Sequence, residues 1–551
     1  MHIVVIGMGY VGIPCAALLA DVPEFQVTGV QRRSARSGWK IEALNQGRSP
    51  FEGHEPGLAT LLQRVVLEKR TFHVTDDLSV CREADAILLD VQTPVDANRV
   101  PQYESLREVA AGVGRYLRPG TLVVIESTVA PGTTQHVVQP LLEQESGLQA
   151  GQDFFLAFAY ERVMPGKLLE FQITMPRVVG GIDPASTRRA VQLYANVVQA
   201  EIHSTDCLTA ELAKTVENTY RDVNIAFANE MALVCESLGV DVFEVRRLVN
   251  SRSDRHMHLP GAGVGGHCLP KDPWLLNHGA MTYGCNGATS SLLAVARQIN
   301  DGMPLHMADL VQQALEDAWG TTPAAENPRV APSPPLLACT PVQGARSPAQ
   351  PLAGARIAVL GVAYLEDSDD TRNTPAAPLI RALCARGATV VAHDPYVRLA
   401  DWEALGLNRG ERGEGSESKH EEHKEHKEDR GLKHRVHGVE EGEGVSVPSV
   451  SNPSSLSASS AYLASRHPFG EAAISAVNSN VHFTQDLLEA LTGADCAALV
   501  TRHHVYLTPA FLQATQAMRR RILVDGRGCL SPQACARGGI TVWGLGKPRR
   551  R

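Results

Sequence analysis

The sequence predicts an α/β protein: two Rossmann-like α/β domains joined by a central helical domain with a long helix. Three observations predict it. Short β-branched runs alternate with helical patterns over residues 1 to about 200, the signature of parallel strands joined by crossover helices. From Thr205 to about Leu238 the alternation gives way to one amphipathic period. A fresh strand–helix–strand unit then starts at Arg356.

The elements follow in chain order. Strands are expected at 2–6, 26–31, 86–91, 121–126 and 154–158, making residues 1–203 the first domain. The long helix repeats Leu212, Val216, Ile225, Ala228 and Leu233 near helical spacing, with Thr205 or Asp206 as cap,. With a second helical stretch at 286–318 it forms a central domain, 204–318. Residues 319–353, rich in Pro, Ala and Ser, read as a linker,. The last domain, 354–551, opens with strand Ile357–Leu360, helix Ala376–Arg386 and strand Thr389–His393. A Glu/Lys/His run and a Ser-rich tract at about 406–480 lack the apolar content to build a core, so a disordered insertion is expected there,. Strands resume at Val481–Thr484, Cys496–Thr501 and Ile522–Asp525.

Composition excludes several classes. A net charge of −8 with 20% charged residues over 551 positions does not suit a nucleic-acid binder,. No run approaches the roughly 18 apolar residues a membrane span needs. Met1 leads straight into a strand, which argues against a signal peptide,. Eleven scattered cysteines without a CxxC pair argue against a disulfide framework and a zinc site,. His420, His423 and His426 stand unspaced among lysines, so no metal is expected. A soluble cytoplasmic protein is the expectation.

Two constellations carry chemistry. Gly7, Gly9, Tyr10, Val11 and Gly12 belong to a GMGYVG turn that closes the first strand and opens a helix. Its glycines permit the tight turn, the approach of a pyrophosphate and close helix–strand packing. The second strand ends in Gln31-Arg32-Arg33, where an acidic residue usually meets the ribose of NAD,. Gln31 can still bond a ribose hydroxyl, while Arg32 and Arg33 suit a 2′-phosphate. These residues by themselves leave NAD and NADP both open.

The second constellation is the glycine-rich loop Gly261–Gly266, which delivers His267 and Cys268, then Lys271 and Asp272. A helix opened by Pro270 would set these groups at its N-terminus, where a thiolate is favoured. The glycines are expected to admit a bulky ligand. On the long helix, Glu211, Lys214, Asn218 and Asp222 share one face,. Lys and Asn there can donate to an oxyanion, although such a stripe is more often solvent-facing.

With these residues in view, the chain resembles the UDP-glucose/GDP-mannose dehydrogenase family. The matching motifs are Gly7–Gly12, Glu126–Thr133, Tyr160–Gly166, Lys214…Asn218…Asn229-Glu230 and Gly265–Asp272. The resemblance implies a four-electron oxidation of a sugar C6 alcohol, with Cys268 as the nucleophile that carries a thiohemiacetal and then a thioester. It implies that Lys214 and Asn218 stabilise the oxyanion and that Asp272 with Thr128 handles the water. Glu161 would serve thioester hydrolysis, and Thr93 and Thr128 would contact the cofactor, for which the resemblance implies NAD with NADP not excluded. It implies substrate contacts at Glu161, Arg162, Lys214, Asn218, Gly265, Lys271 and Arg372, with Arg221 and Arg255 as additional candidates. The segment Ser368–Pro375 looks like the family's nucleotide-sugar segment, and Asp394-Pro395-Tyr396 and Asp525-Gly526-Arg527 match its strand ends. Leu365 departs from the family, where a Lys often follows the aromatic residue.

His267 and the Glu217–Asn224 stretch resemble the branch acting on UDP-N-acetylhexosamines. The implied order of substrates is UDP-N-acetylmannosamine, then UDP-N-acetylglucosamine, then UDP-glucose. A hydroxyacid dehydrogenase needs no such cysteine, and a non-catalytic nucleotide-sugar-binding module would not retain Cys268, Lys214 and Asp272. A homodimer or larger homo-oligomer through the central helical domain is the expected assembly.

Overall fold

The computed structural model describes residues 1–34, 37–51, 55–284, 290–320, 350–407 and 480–548. The predicted linker and insertion lie outside the described residues except at their ends. No helix among the described residues is long and apolar enough to cross a membrane.

The first sheet has eight strands: β1 (His2–Ile6), β2 (Gln26–Val30), β3 (Phe72–Thr75), β4 (Ala86–Leu89), β5 (Leu122–Ile125), β6 (Phe155–Phe158), β7 (Arg177–Gly181) and β8 (Ile202–Asp206). Their order is β3-β2-β1-β4-β5-β6-β7-β8, and only the β6–β7 pair is antiparallel. The second sheet, wholly parallel, runs β11-β10-β9-β12-β13-β14. Its strands are β9 (Arg356–Leu360), β10 (Thr389–His393), β11 (Val481–Thr484), β12 (Cys496–Leu499), β13 (Ile522–Asp525) and β14 (Thr541–Gly544). In each sheet the order reverses beside the first strand, opening a crevice at the carboxyl ends where α/β proteins take ligands.

Four strands escaped the sequence pattern. β3 and β14 are four-residue edge strands of their sheets. β7 ends in two glycines, and β8 is a half-exposed edge rich in polar residues.

Four helices position the site: α1 (Gly12–Asp21), α2 (Cys207–Leu238), α3 (Asp272–Tyr283) and α4 (Ser291–Trp319). α2 begins where Asp206 accepts from the Thr209 amide at 2.9 Å and ends at Gly239, φ 73°, a left-handed stop that suits glycine. Its 32 residues span about 48 Å,. That length lets it belong to both cores. Cys207 and Ala210 pack with the first sheet, whereas Ala228, Ala232 and Cys235 pack with Ile357 and Val359 of the second.

The polar stripe of α2 faces inward, against the usual expectation. Glu211, Lys214, Asp222 and Asn229 are buried, while Leu212 and Val216 are 43% and 45% exposed. Each buried polar group has a dedicated partner. Glu211 accepts from the Gly132 and Thr134 amides at 2.6 and 2.8 Å, and Asp222 from Arg297 at 2.6 Å. Asn229 donates to Asn300 and accepts from the Gly261 amide. Unpaired, such groups would cost on the order of 1–3 kcal/mol each.

Candidate active site

The dinucleotide turn is built by close backbone approach. Gly7 has φ 109°, and a Cβ there would stand 2.1 Å from the Asp90 carbonyl oxygen. A Cβ on Gly12 would meet the Gly7 oxygen at 2.0 Å, whereas one on Gly9 meets nothing within 4 Å. Gly9 is thus the open face of the turn. α1 starts at Val11 without a side-chain cap and without an acidic residue in its first turn. The positive dipole end of this helix fits the diphosphate of a dinucleotide.

Gln31 leaves β2 and accepts from the Met8 amide at 3.2 Å. Arg33 is held by Asp76 at 2.9 Å and Glu42 at 2.8 Å. Arg32 has only a 3.9 Å contact to Glu108. Tyr10 stacks on Phe51 with ring centres 4.4 Å apart and donates to Asp369 at 3.4 Å. The turn therefore touches the second α/β domain directly. Thr93 donates to the Thr128 carbonyl at 2.6 Å, tying the loops after β4 and β5 together.

Cys268 lies where the glycine loop enters α3. Its carbonyl accepts the Lys271 and Asp272 amides at 3.0 and 2.9 Å, which folds the three residues into one turn. Asp272 is fully buried and receives Lys271 Nζ at 2.6 Å and Asn218 Nδ2 at 2.5 Å. Lys214 Nζ donates to the Glu161 carbonyl at 2.8 Å. Cys268, Lys214, Asn218, Glu161, Lys271 and Asp272 thus converge from three chain segments.

The electrostatics oppose one another. The Cys268 sulfur opens to solvent on one side, yet protein crowds the rest. That low-dielectric wall and Asp272 push the thiol up, while Lys214 and Lys271 pull it down,. Burial works against the Lys214 ammonium, but Glu161, Cys268, Glu217 and Asp272 outweigh it and hold the charge. His267 is driven down to about 4 by burial and by Lys271 and Arg372, so its imidazole is neutral near pH 7.

The glycine loop serves protein contacts as well as any ligand, a correction to the sequence expectation. A Cβ on Gly265 would stand 2.5 Å from Tyr364 Cβ, and one on Gly266 2.9 Å from the Tyr364 ring. Gly261 and Gly263 face Arg527 and Pro375 just as closely. The Gly266 amide donates to the Arg372 carbonyl at 2.8 Å, and Asn373 returns a bond to the Gly266 carbonyl at 3.0 Å. The second α/β domain is seated on the loop two residues before the cysteine.

Arg372 is gripped by Asp370 through Nε at 2.9 Å and Nη2 at 2.5 Å, and its guanidinium lies 5.5 Å from the Tyr10 ring centre. Arg162 is paired with Glu217 at 2.8 Å and bonds Tyr160. Arg221 is exposed on α2. Arg255 stands apart, exposed and paired with Asp254 at 2.8 Å. Sequence reasoning missed Tyr364, Asp370 and Glu217. Asp370 and Glu217 fall within the Ser368–Pro375 and Glu217–Asn224 stretches, but only geometry shows them holding Arg372 and Arg162.

Comparison with known proteins agrees with this layout. Residues 1–198, 208–302 and 358–427 match, in order, the NAD binding, central and UDP binding domains of the UDP-glucose/GDP-mannose dehydrogenase family. A UDP-N-acetyl-D-mannosamine dehydrogenase of Pyrococcus horikoshii is 36% identical over 72% of this chain and 84% of its own. One from Yersinia pestis is 33% identical over 73% and 87%. A solved NDP-N-acetyl-D-galactosaminuronic acid dehydrogenase from Methanosarcina mazei superposes with TM-score 0.69 at 34% identity, covering 99% of this chain and 95% of its own. With the three domains matched in family order, the chain belongs to the UDP-glucose/GDP-mannose dehydrogenase family and is a nucleotide-sugar dehydrogenase.

Proposed function

We propose that the protein oxidises the C6 alcohol of a UDP-N-acetylhexosamine, UDP-N-acetylmannosamine first, to the uronate through a thioester on Cys268. The observation that carries this reading is the convergence of Lys214, Asn218, Lys271 and Asp272 on the turn that bears Cys268. Bound NAD supplies the acceptor for two successive hydrides. Between them, the Cys268 thiolate bonds to the C6 aldehyde carbon, and loss of the second hydride leaves the thioester. Lys214 uses one of its donors on Glu161 and Asn218 one on Asp272, which leaves each able to donate to the C6 oxygen. Asp272 with Thr128 orients and deprotonates the water that releases the carboxylate, assisted by Glu161.

Arg372, clamped by Asp370, suits the diphosphate of the substrate,. The N-acetylhexosamine preference draws on the names of the relatives and on the neutral His267 beside the nucleophile. NAD is preferred to NADP because Arg33 is already committed to Asp76 and Glu42. The exposed Leu212 and Val216 stripe of α2 supports a homodimer through the central domain,.

The test is a panel of UDP-sugars followed by NADH absorbance, with Cys268→Ser alongside wild type. The substitution is expected to remove net carboxylate formation by about 10³-fold or more. Unchanged turnover with two NADH per sugar would refute the thioester. Wild-type turnover of UDP-glucose alone would refute the substrate.

A further inference from the structure

Beneath the dinucleotide turn lies a pair of acids that the reaction above does not use. Asp90 follows β4, and its Oδ2 would be 3.4 Å from a Cβ on Gly12. Glu126 follows β5 with its side chain sealed from solvent. Glu126 Oε1 is fully engaged, accepting from Tyr194 at 2.8 Å, from Arg177 Nη2 and from Cys15 at 3.9 Å. Glu126 Oε2 and Asp90 Oδ2 are both closed to water and have no donor. The two carboxyl groups are nonetheless within hydrogen-bonding reach of each other. Two acceptors can satisfy each other only with a proton between them.

We propose that Asp90 is a positioning residue that stays a neutral acid, donates its proton to Glu126 and so braces an uncharged floor under the bound diphosphate. The charge count supports this. Arg177 is paired with Glu126, so one carboxylate already balances this cation. A second negative charge here would sit in low dielectric under a turn that receives an anion, where repulsion is weakly screened. Burial, with Glu126 and Glu161 adding, pushes the Asp90 carboxyl well above the carboxylate range, against the pull of Arg177. Cys15 of α1 and Tyr194 also face the cluster, and burial raises both, so they remain neutral donors. Because the Asp90 carboxyl is raised on folding, its contribution to stability is fully present below the ordinary carboxylate range and is lost as pH rises through its folded value,.

The proposal rests on dinucleotide binding at this turn and not on the identity of the sugar, so it is tested without one. NADH binding to the full chain is followed by fluorescence from pH 6 to 10, for wild type, Asp90→Asn and Asp90→Ala. Wherever the Asp90 carboxyl ionises in that range, wild-type affinity should fall, by about tenfold, while that of Asp90→Asn does not. Asp90→Asn, whose amide donates to Glu126 at every pH, should match wild type within about twofold at pH 7 and stay flat. Asp90→Ala should bind NADH several-fold more weakly at pH 7. An Asp90→Asn protein as weak as Asp90→Ala at pH 7, more than twofold weaker than wild type there, or losing affinity with rising pH alongside wild type, would overturn it. Should Asp90→Ala fail to fold, the wild-type and Asp90→Asn profiles still decide.

Discussion

Cys268 shows how a residue's chemistry depends on its neighbours' charges. Its thiol is raised by burial and Asp272 and lowered by Lys214 and Lys271, so each neighbour makes a signed prediction. The midpoint of the pH dependence of alkylation by iodoacetamide should lie above that of an unperturbed thiol. Asp272→Asn should lower that midpoint and Lys214→Met should raise it, each by about one pH unit. An order reversed from this would show that the groups do not share a field. The sequence signalled the residue types and their spacing. It could not reveal that Asp272 is saturated by Lys271 and Asn218, because those three come from two separate helices and a loop.

At the scale of elements, α2 inverts the common pattern of apolar in and polar out. Its polar stripe is read correctly as one face from spacing alone, but the face it meets is set by α3, α4 and the loop before the cysteine. The stripe is buried because each member finds a partner there, which periodicity cannot encode. The exposed counterpart yields a prediction. Leu212→Glu together with Val216→Glu should convert the proposed dimer to monomer in sedimentation at micromolar concentration, with near-native circular dichroism. A double variant that sediments as wild type would place the interface elsewhere. The glycine loop makes the same point from the other direction: its composition implied close approach, but Tyr364, Pro375 and Arg527 are the approaching groups.

At the scale of the whole molecule, two parallel sheets are linked through one helix that contributes to both cores. The Gly7–Gly12 turn and the cysteine loop both rest on Asp369–Asn373, so one segment of the last domain touches both. β10 and β11 pair in register from Val390 with Val481 to His393 with Thr484, although some ninety residues separate them in the chain. The crossover that such a parallel pair needs is already present in residues 394–407, which include the helix Leu399–Glu403,. Deleting residues 410–475 should therefore leave wild-type activity within about threefold and a cooperative melt. Loss of folding or of turnover would show that the segment packs or regulates.

Read alone, the sequence determined the two α/β domains, the long helix between them, the dinucleotide turn and the cysteine loop. These are local: strand and helix periods, glycines at tight turns and reactive side chains at short spacing all leave marks within a few residues. Only the tertiary structure decided that the polar stripe of α2 is interior, that Asp370 clamps Arg372, and that Asp90 and Glu126 meet under the cofactor turn. Those contacts join residues 36 to 75 positions apart, or sit in one short segment whose conformation depends on both domains. Their stability comes from burying charge only where a partner waits, a condition that arises when the cores close and not before.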